Sequence, residues 1–268
     1  MMKKGLAAAA VGAALFWPGL RVRRYRVLTR KAAAPFRLAL LADLHSARYG
    51  AGQTELLRVL LRQKPDAVLL AGDMAPDAGS LQNLDELLRA LEGRFPVFYV
   101  SGNHEVTRGR EKAVKRLVAA RGGIPLAGNS AVLRHGEEAV SVCGVDDPEA
   151  ELLTGGEPWL CQLFRCAEER KASGRFTVLL THRPERMQLY ASCGFDLVLA
   201  GHVHGGQVRI PPFVNGLLAP SQGIFPQYAG GFYLREGTAM VVSRGLARKQ
   251  PRFCNPPEVV IVDILPAP

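Results

Sequence analysis

Short apolar runs separated by amphipathic stretches occupy the chain from Phe36 onward. Runs of four to six residues predict strands over Arg37–Ala42, Ala67–Ala71, Val97–Val100, Val140–Cys143, Thr177–Leu180 and Leu197–Ala200. Between the early runs, apolar residues at three- and four-residue spacing predict helices over Thr54–Gln63, Leu81–Leu91 and Arg110–Ala120. After residue 205 the helical period fades. Gly/Pro-rich turns there separate β-like segments at Gln207–Ile210, Gly231–Leu234, Ala239–Ser243 and Glu258–Ile264. This alternation predicts an α/β fold. No internal repeat or low-complexity linker interrupts it, so residues 33–268 read as one domain behind an appendage of residues 1–32.

Within the appendage, Gly5 to Leu20 is free of charge and lies between Lys3-Lys4 and the cluster Arg21, Arg23, Arg24, Arg26. Sixteen residues of helix reach about 24 Å, short of the ~30 Å hydrocarbon core. A cleaved signal peptide, a helix packed on the domain and a short membrane anchor are the competing readings. No small-x-small cleavage site lies beyond the run, and Arg-rich flanks resist translocation. Snorkelling Lys and Arg stems and the interfacial preference of Trp17 favour the anchor. With the larger positive cluster on its C-terminal side, the anchor predicts a membrane-associated protein with its main domain in the cytoplasm; an exported domain is the alternative.

Composition narrows the class. With 48% hydrophobic and 22% charged residues, a disordered polymer is excluded. The net charge of +10 points at first to nucleic acid, but residues 1–31 hold eight basic residues and no acidic one, leaving +2 for the remainder. No nucleic-acid partner is expected. The five cysteines include no CxxC pair and are an odd set, which argues against a disulfide framework or a structural zinc site.

The informative feature is a polar cluster at the C-terminal end of five predicted strands: Asp43-Leu44-His45, Gly72-Asp73, Gly102-Asn103-His104-Glu105, Thr181-His182 and Gly201-His202-Val203-His204. Open α/β sheets place ligand sites at such strand ends. Five of the six histidines fall in these clusters. Imidazoles and carboxylates gathered at one point are costly unless they pair or hold a metal. A donor set of imidazole and oxygen without Cys suits Mn²⁺, Fe, Zn²⁺, Ni²⁺ or Co²⁺. In Asp-Leu-His and His-Val-His the donors are two apart, so in extended backbone both would lean to one side.

These five motifs, in this order, resemble the motif set of calcineurin-like metallophosphoesterases. The N-terminal segment, the GHVHGGQ ending and the tail SRGL…RFCNPPE narrow the resemblance to the membrane-associated bacterial YkuE/YaeI-type phosphodiesterases. The resemblance implies a four-layer αββα sandwich of two mixed β-sheets flanked by helices. It implies two divalent metal ions, one on Asp43, His45 and His204, the other on Asn103, His182 and His202, with Asp73 bridging and a metal-bridged hydroxide as nucleophile. His104 would be the catalytic non-ligand, oriented by Glu105 or Asp77. Arg183 and Arg48 are candidate substrate contacts, and Arg244, Arg248 and Arg252 weaker ones. The implied activity is hydrolysis of a phosphoester substrate, as a phosphodiesterase or pyrophosphatase acting at the membrane, with lipid-linked substrates of the UDP-2,3-diacylglucosamine type included. A soluble-substrate phosphomonoesterase or protein phosphatase is the rival, disfavoured because GDxxDRG is absent. A non-catalytic binding protein is disfavoured because every ligand position is filled.

Overall fold

The structure is a computed structural model that describes residues 19–155, 157–248 and 252–268. Two six-stranded sheets pack face to face. Sheet A has the order β1 (Arg21–Thr29), β14 (Glu258–Pro266), β2 (Phe36–Leu41), β3 (Ala67–Ala71), β4 (Val97–Val100), β5 (Ile124–Pro125). Sheet B has the order β12 (Gly231–Arg235), β13 (Thr238–Val242), β9 (Leu197–Ala200), β8 (Thr177–Leu180), β7 (Glu138–Gly144), β6 (Asn129–His135). A two-residue hairpin pair, β10 (Leu218–Ala219) and β11 (Gly223–Ile224), stands apart.

The central strands are continuous apolar runs because both of their faces are buried. In β2, Leu38 and Leu40 enter the core between the sheets, while Ala39 and Leu41 face the outer core. That outer core is closed by α1 (Thr54–Gln63), α2 (Gln82–Leu91) and α4 (Glu111–Ala120), whose Leu56, Leu60, Leu84, Leu88, Val114 and Val118 supply it. Sheet B is covered by α6 (Trp159–Ser173) and α7 (Met187–Ser192) through Trp159, Leu163, Met187 and Tyr190. Two short helices, α3 (Asn103–Thr107) and α5 (Glu149–Thr154), come after strand ends. The result is the αββα sandwich. Strands β2, β3 and β4 run parallel, as do β7, β8, β9 and β13, so the five polar clusters emerge at strand ends from both sheets.

Several expectations are corrected. Gln207–Ile210 is no strand: Val208 and Ile210 form only isolated bridges. The basic stretch 21–29 is not a detached flank but an edge strand of sheet A, parallel to β14 over its whole length. Its alternation places Tyr25 and Val27 against the inter-sheet core and Leu20 and Val22 against the helix-side core. The sandwich therefore includes residues 21–29, which the expected boundary at Ala33 leaves out. The expected localisation is corrected with it. Among the described residues no helix is long and apolar enough to cross a membrane, and the apolar run up to Pro18 lies outside the described residues.

A chain beginning at Ala33 loses the β1 ladder and its buried Val27. It also turns the Val/Ile-rich β14 into an unpaired edge open to aggregation. Its stability should fall by about 3–5 kcal/mol, from lost apolar burial and packing. Urea unfolding monitored by circular dichroism checks this; an unchanged midpoint would show that β1 adds nothing to the fold.

Candidate metal centre

The loops after the strands reach the site through left-handed backbone. Asp43 (φ 52°), His45 (φ 43°), Asp73 (φ 53°), His202 (φ 74°) and His204 (φ 47°) all have positive φ. Asp and His tolerate this region better than most residues, and such strain gathers at functional sites. The two-residue spacing of Asp43/His45 and His202/His204 therefore works by left-handed turns, not by the extended backbone expected from sequence. Gly102 permits a close approach of two loops. A Cβ built there would collide with Asp73 Oδ1.

The donors fall into groups. Asp43, His45 and His204 form one, and Asp73, His182 and His202 another, each offering ligand atoms within 4.8 Å of one another. His204 Nε2 lies 3.8 Å from Asp43 Oδ1. His45 Nε2 lies 3.6 Å and His182 Nε2 3.3 Å from the same atom, Asp73 Oδ2, which thus stands between the groups. Asn103 Oδ1 joins the second group 3.2 Å from His182 Nε2, and His202 Nδ1 lies 3.1 Å from that same nitrogen.

Backbone contacts fix which atoms face inward. The Nδ1–H of His182 donates to the Ala71 carbonyl at 2.7 Å, aiming Nε2 at the cluster. Asp43 accepts the His202 amide on both oxygens at 3.1 Å, and Asp73 Oδ1 accepts the His104 amide at 2.9 Å. Asp73 Oδ2 is left buried without a hydrogen-bond partner. A buried carboxylate oxygen facing imidazole nitrogens and an amide oxygen is what a divalent cation would satisfy, so these residues fit such an ion.

The electrostatics agree. Burial pushes Asp43 up to about 7, with the charge of Asp73 adding to the rise. Burial raises Asp73 most strongly of any single cause, but His182, His45 and His104 together outweigh it and hold Asp73 well below the usual carboxylate range. Burial lowers His182, yet Asp73 and Asp43 prevail and push it up to about 10. Burial, with neighbouring positive groups, lowers His45, His202 and His204, keeping them neutral. The two buried carboxylates thus draw positive charge into this point.

His104 stands beside the groups, its ring 4.8 Å from that of His45. Its Nδ1 is 2.5 Å from Asp77 Oδ1, so of the two candidate orienting carboxylates it is Asp77 that reaches it. The hydrogen bond to His104 lowers the Asp77 pKa. Glu105 is fully buried and does something else. Its Oε2 accepts the amides of Asp73 (2.9 Å) and Gly102 (2.7 Å), and its Oε1 those of Met74 (2.6 Å) and Ala75 (3.0 Å). It ties the β3 loop to the β4 loop. Burial and the Asp73 charge push Glu105 up to about 7 against the pull of these donors.

The candidate substrate contacts lie elsewhere. Arg183 is buried with its guanidinium committed to protein partners: Asp147 takes Nε and Nη2 (the latter at 2.8 Å), and Glu149 also takes Nη2 at 2.8 Å. Its Nη1 donates to Ser221 Oγ at 3.0 Å and lies 3.2 Å from His202 Nε2, bracing that ring from behind. Arg48 is exposed, with its carbonyl accepting from Arg248 at 3.1 Å. Arg248 stacks over Tyr49, 4.1 Å from the ring centre, and Arg252 donates to the Arg244 and Gly245 carbonyls beside Asp43. Asp147, Ser221 and Asn255 were invisible in the sequence. Asn255 Nδ2 donates to the carbonyls of His204 (2.7 Å) and Gln207 (3.2 Å). The NPP ending of the tail was the one available signal for it.

Comparison with known proteins places the chain in a context. The family profile "Calcineurin-like phosphoesterase" matches residues 36–206. The uncharacterized metallophosphoesterase YkuE of Bacillus subtilis (strain 168) is 27% identical over 238 residues, 84% of this chain and 78% of that protein. Phosphodiesterase YaeI of Escherichia coli (strain K12) is 30% identical over 187 residues, 67% of this chain and 64% of that protein. Among solved structures, TT1561 of Thermus thermophilus shares the fold, with a TM-score of 0.53 at 13% identity over 80% of this chain and 91% of that one.

Glu105→Gln tests the loop clamp. One carboxylate oxygen becomes an NH₂ group facing two backbone N–H donors, losing two hydrogen bonds and opposing donor to donor. Stability should drop by about 2–4 kcal/mol. Denaturant unfolding measures it, and a loss under about 0.5 kcal/mol would show that the clamp is not needed.

Proposed function

The chain belongs to the calcineurin-like phosphoesterase family and is a phosphoester hydrolase, and from that premise we propose that it cleaves phosphodiester bonds with two divalent ions. Asp43, His45 and His204 would hold one ion and Asn103, His182 and His202 the other, with Asp73 between them. The observation that carries this reading is Asp73 Oδ2, buried, unpartnered and flanked by one imidazole from each group. When bound, such ions supply Lewis-acid stabilisation of phosphoryl charge and activation of water. The similarity to a protein named as a phosphodiesterase supports a diester over a monoester.

The protein's own groups do the rest. The strand-end loops fix the donors before substrate arrives, so little reorganisation accompanies reaction. His104 is half exposed beside the donors. With Nδ1 held by Asp77, its Nε2 is the nitrogen free to deliver a proton to the departing oxygen. Asp77 keeps the ring in its orientation. Arg183 carries no free guanidinium edge for a phosphate; it steadies His202 instead.

With Mn²⁺, the purified chain should turn over bis(p-nitrophenyl) phosphate at least tenfold more efficiently than p-nitrophenyl phosphate. The reverse preference would replace the diester reading with a monoesterase. Asp73→Asn should lower both bound metal, measured by plasma emission spectroscopy, and turnover; full metal content with full activity would remove Asp73 from the centre. His104→Gln should keep its metal while kcat falls roughly 10²–10⁴-fold, the range for general acid–base catalysis. Loss of metal in that variant would make His104 a ligand.

A further inference from the structure

The edge of the sandwich carries a second concentration of charge, opposite in sign to the carboxylates of the metal centre. A cleft of about 440 Å³ opens where β1 meets the loops after His204 and after β13, lined by Val22, Arg23, Arg24, Tyr25, Arg209 and Arg244. Arg24 turns to the helix side, where Gln63 Oε1 accepts its guanidinium. Arg23, Arg209 and Arg244 remain. Glu258 is the carboxylate at the floor, and it is already engaged by the Arg244 amide and by Arg244 Nη1, each at 3.0 Å. Arg23 Nε stays 3.9 Å from it, so one carboxylate faces three guanidinium groups.

Two further features make this a built cleft and not a random basic edge. Arg209 is held in place: its Nε donates to the Asn215 carbonyl at 2.9 Å and its Nη2 to Asn215 Oδ1 at 3.1 Å. Asn215 in turn donates to Gly230 O at 2.9 Å and accepts from Arg244 Nη2 at 3.4 Å. Arg244 Nη2 also donates to the Gly230 carbonyl at 3.2 Å, so this buried guanidinium is spent on the protein and contributes charge to the cleft. Burial and the positive charge of Arg244 lower the Arg209 pKa, which marks a cation short of counter-charge. With its Nε and Nη2 on Asn215, Arg209 keeps Nη1 for an anion beside the half-exposed Arg23, while Arg244, whose Nη1 and Nη2 are taken by Glu258, Asn215 and Gly230, adds positive charge from behind.

We propose that Arg23, Arg209 and Arg244 form an anion site for a phosphate group, separate from the metal centre. Its segments continue from those that shape the metal centre. Arg209 comes five residues after His204, and Arg244 precedes Gly245, whose built Cβ would touch the Asp43 carboxylate at 2.8 Å. The phosphate is either a second phosphate of the hydrolysed molecule or one from a separate ligand.

Isothermal titration of the full-length, metal-loaded chain with inorganic pyrophosphate tests the site. Two classes of binding are expected. Asp73→Asn should abolish one, and Arg23→Ala/Arg209→Ala should weaken the other at least tenfold while leaving the circular dichroism spectrum and melting temperature as in the parent. Arg209→Lys, which keeps the charge, should recover part of the lost affinity. The same titration with a nucleoside diphosphate ester identifies the source: weakening in both variants makes the phosphate the substrate's own, and weakening in Asp73→Asn alone assigns the cleft to a separate phosphate. A pyrophosphate isotherm unchanged in Arg23→Ala/Arg209→Ala overturns the site and leaves the arginines as charge on an exposed edge strand. Because the two classes respond to different variants, a failed metal centre and a failed anion cleft give different results.

Discussion

The Asp73 carboxylate is the point on which the rest of the site depends. It is buried, its Oδ1 is spent on the His104 amide, and its Oδ2 faces His45 and His182 with no hydrogen bond to either. A carboxylate in that position is expensive, since desolvation of an ion costs several kcal/mol unless opposite charge returns it. Around Asp73, His182 supplies positive charge and other groups hold the loops that present it. His182 is pulled toward its charged form, and Gly102 leaves out a side chain that would collide with Asp73 Oδ1. Glu105 binds the Asp73 amide so that the loop cannot swing away.

That arrangement explains why two sheets are needed. Sheet A contributes Asp43, His45, Asp73 and Asn103 from the ends of β2, β3 and β4, and sheet B contributes His182, His202 and His204 from the ends of β8 and β9. The hydrogen bonds that cross between them are the ones that set the donors. His182 donates to Ala71 at the end of β3, and the His202 amide donates to Asp43 after β2. The inter-sheet core fixes the separation of the layers, and these few polar bonds convert that separation into ligand distances. Outside them, the buried Arg183, held by Asp147, braces the His202 ring, and the buried Asn255 holds the backbone carbonyl of His204. Supporting contacts of this kind orient first ligands and are as much part of a metal site as the ligands themselves.

The strands and the polar clusters were legible because their physics is local. β3, β4, β8 and β9 are apolar runs buried on both faces, and each ends where its polar cluster begins. β1 was not legible. Arg21, Arg23, Arg24 and Arg26 dominate it, and only Tyr25 and Val27 hint at a buried face; an edge strand can carry such charge because one of its sides meets water. The helix α6 was missed as well, since Gln162, Cys166 and Ala167 on its buried face weaken the apolar period. At the site, residue types announced the donors, but not their supports. Glu105 reads in sequence as a partner for its neighbour His104, and only the fold brings four backbone amides to it. Arg183 reads as a phosphate contact until Asp147, 36 residues away, claims its guanidinium.

The charge distribution of the N-terminal stretch takes on a different meaning once β1 is placed. Along the chain, its arginines look like the flank of an apolar segment. In the sheet they alternate: Arg24 turns outward to Gln63 on the helix layer, while Arg23 turns toward the gap between the sheets, where Glu258, Arg209 and Arg244 already lie. A strand at an edge must discourage pairing with other chains, and charge does that wherever it is placed. Edge protection alone would not require Arg209 to be clamped by Asn215, nor a further guanidinium, that of Arg244, to be buried behind it. Those two features cost ordering and desolvation with no return to the strand. They are accounted for once the same groups are asked to hold an anion, so the basic character of β1 belongs to recognition as well as to the sheet edge.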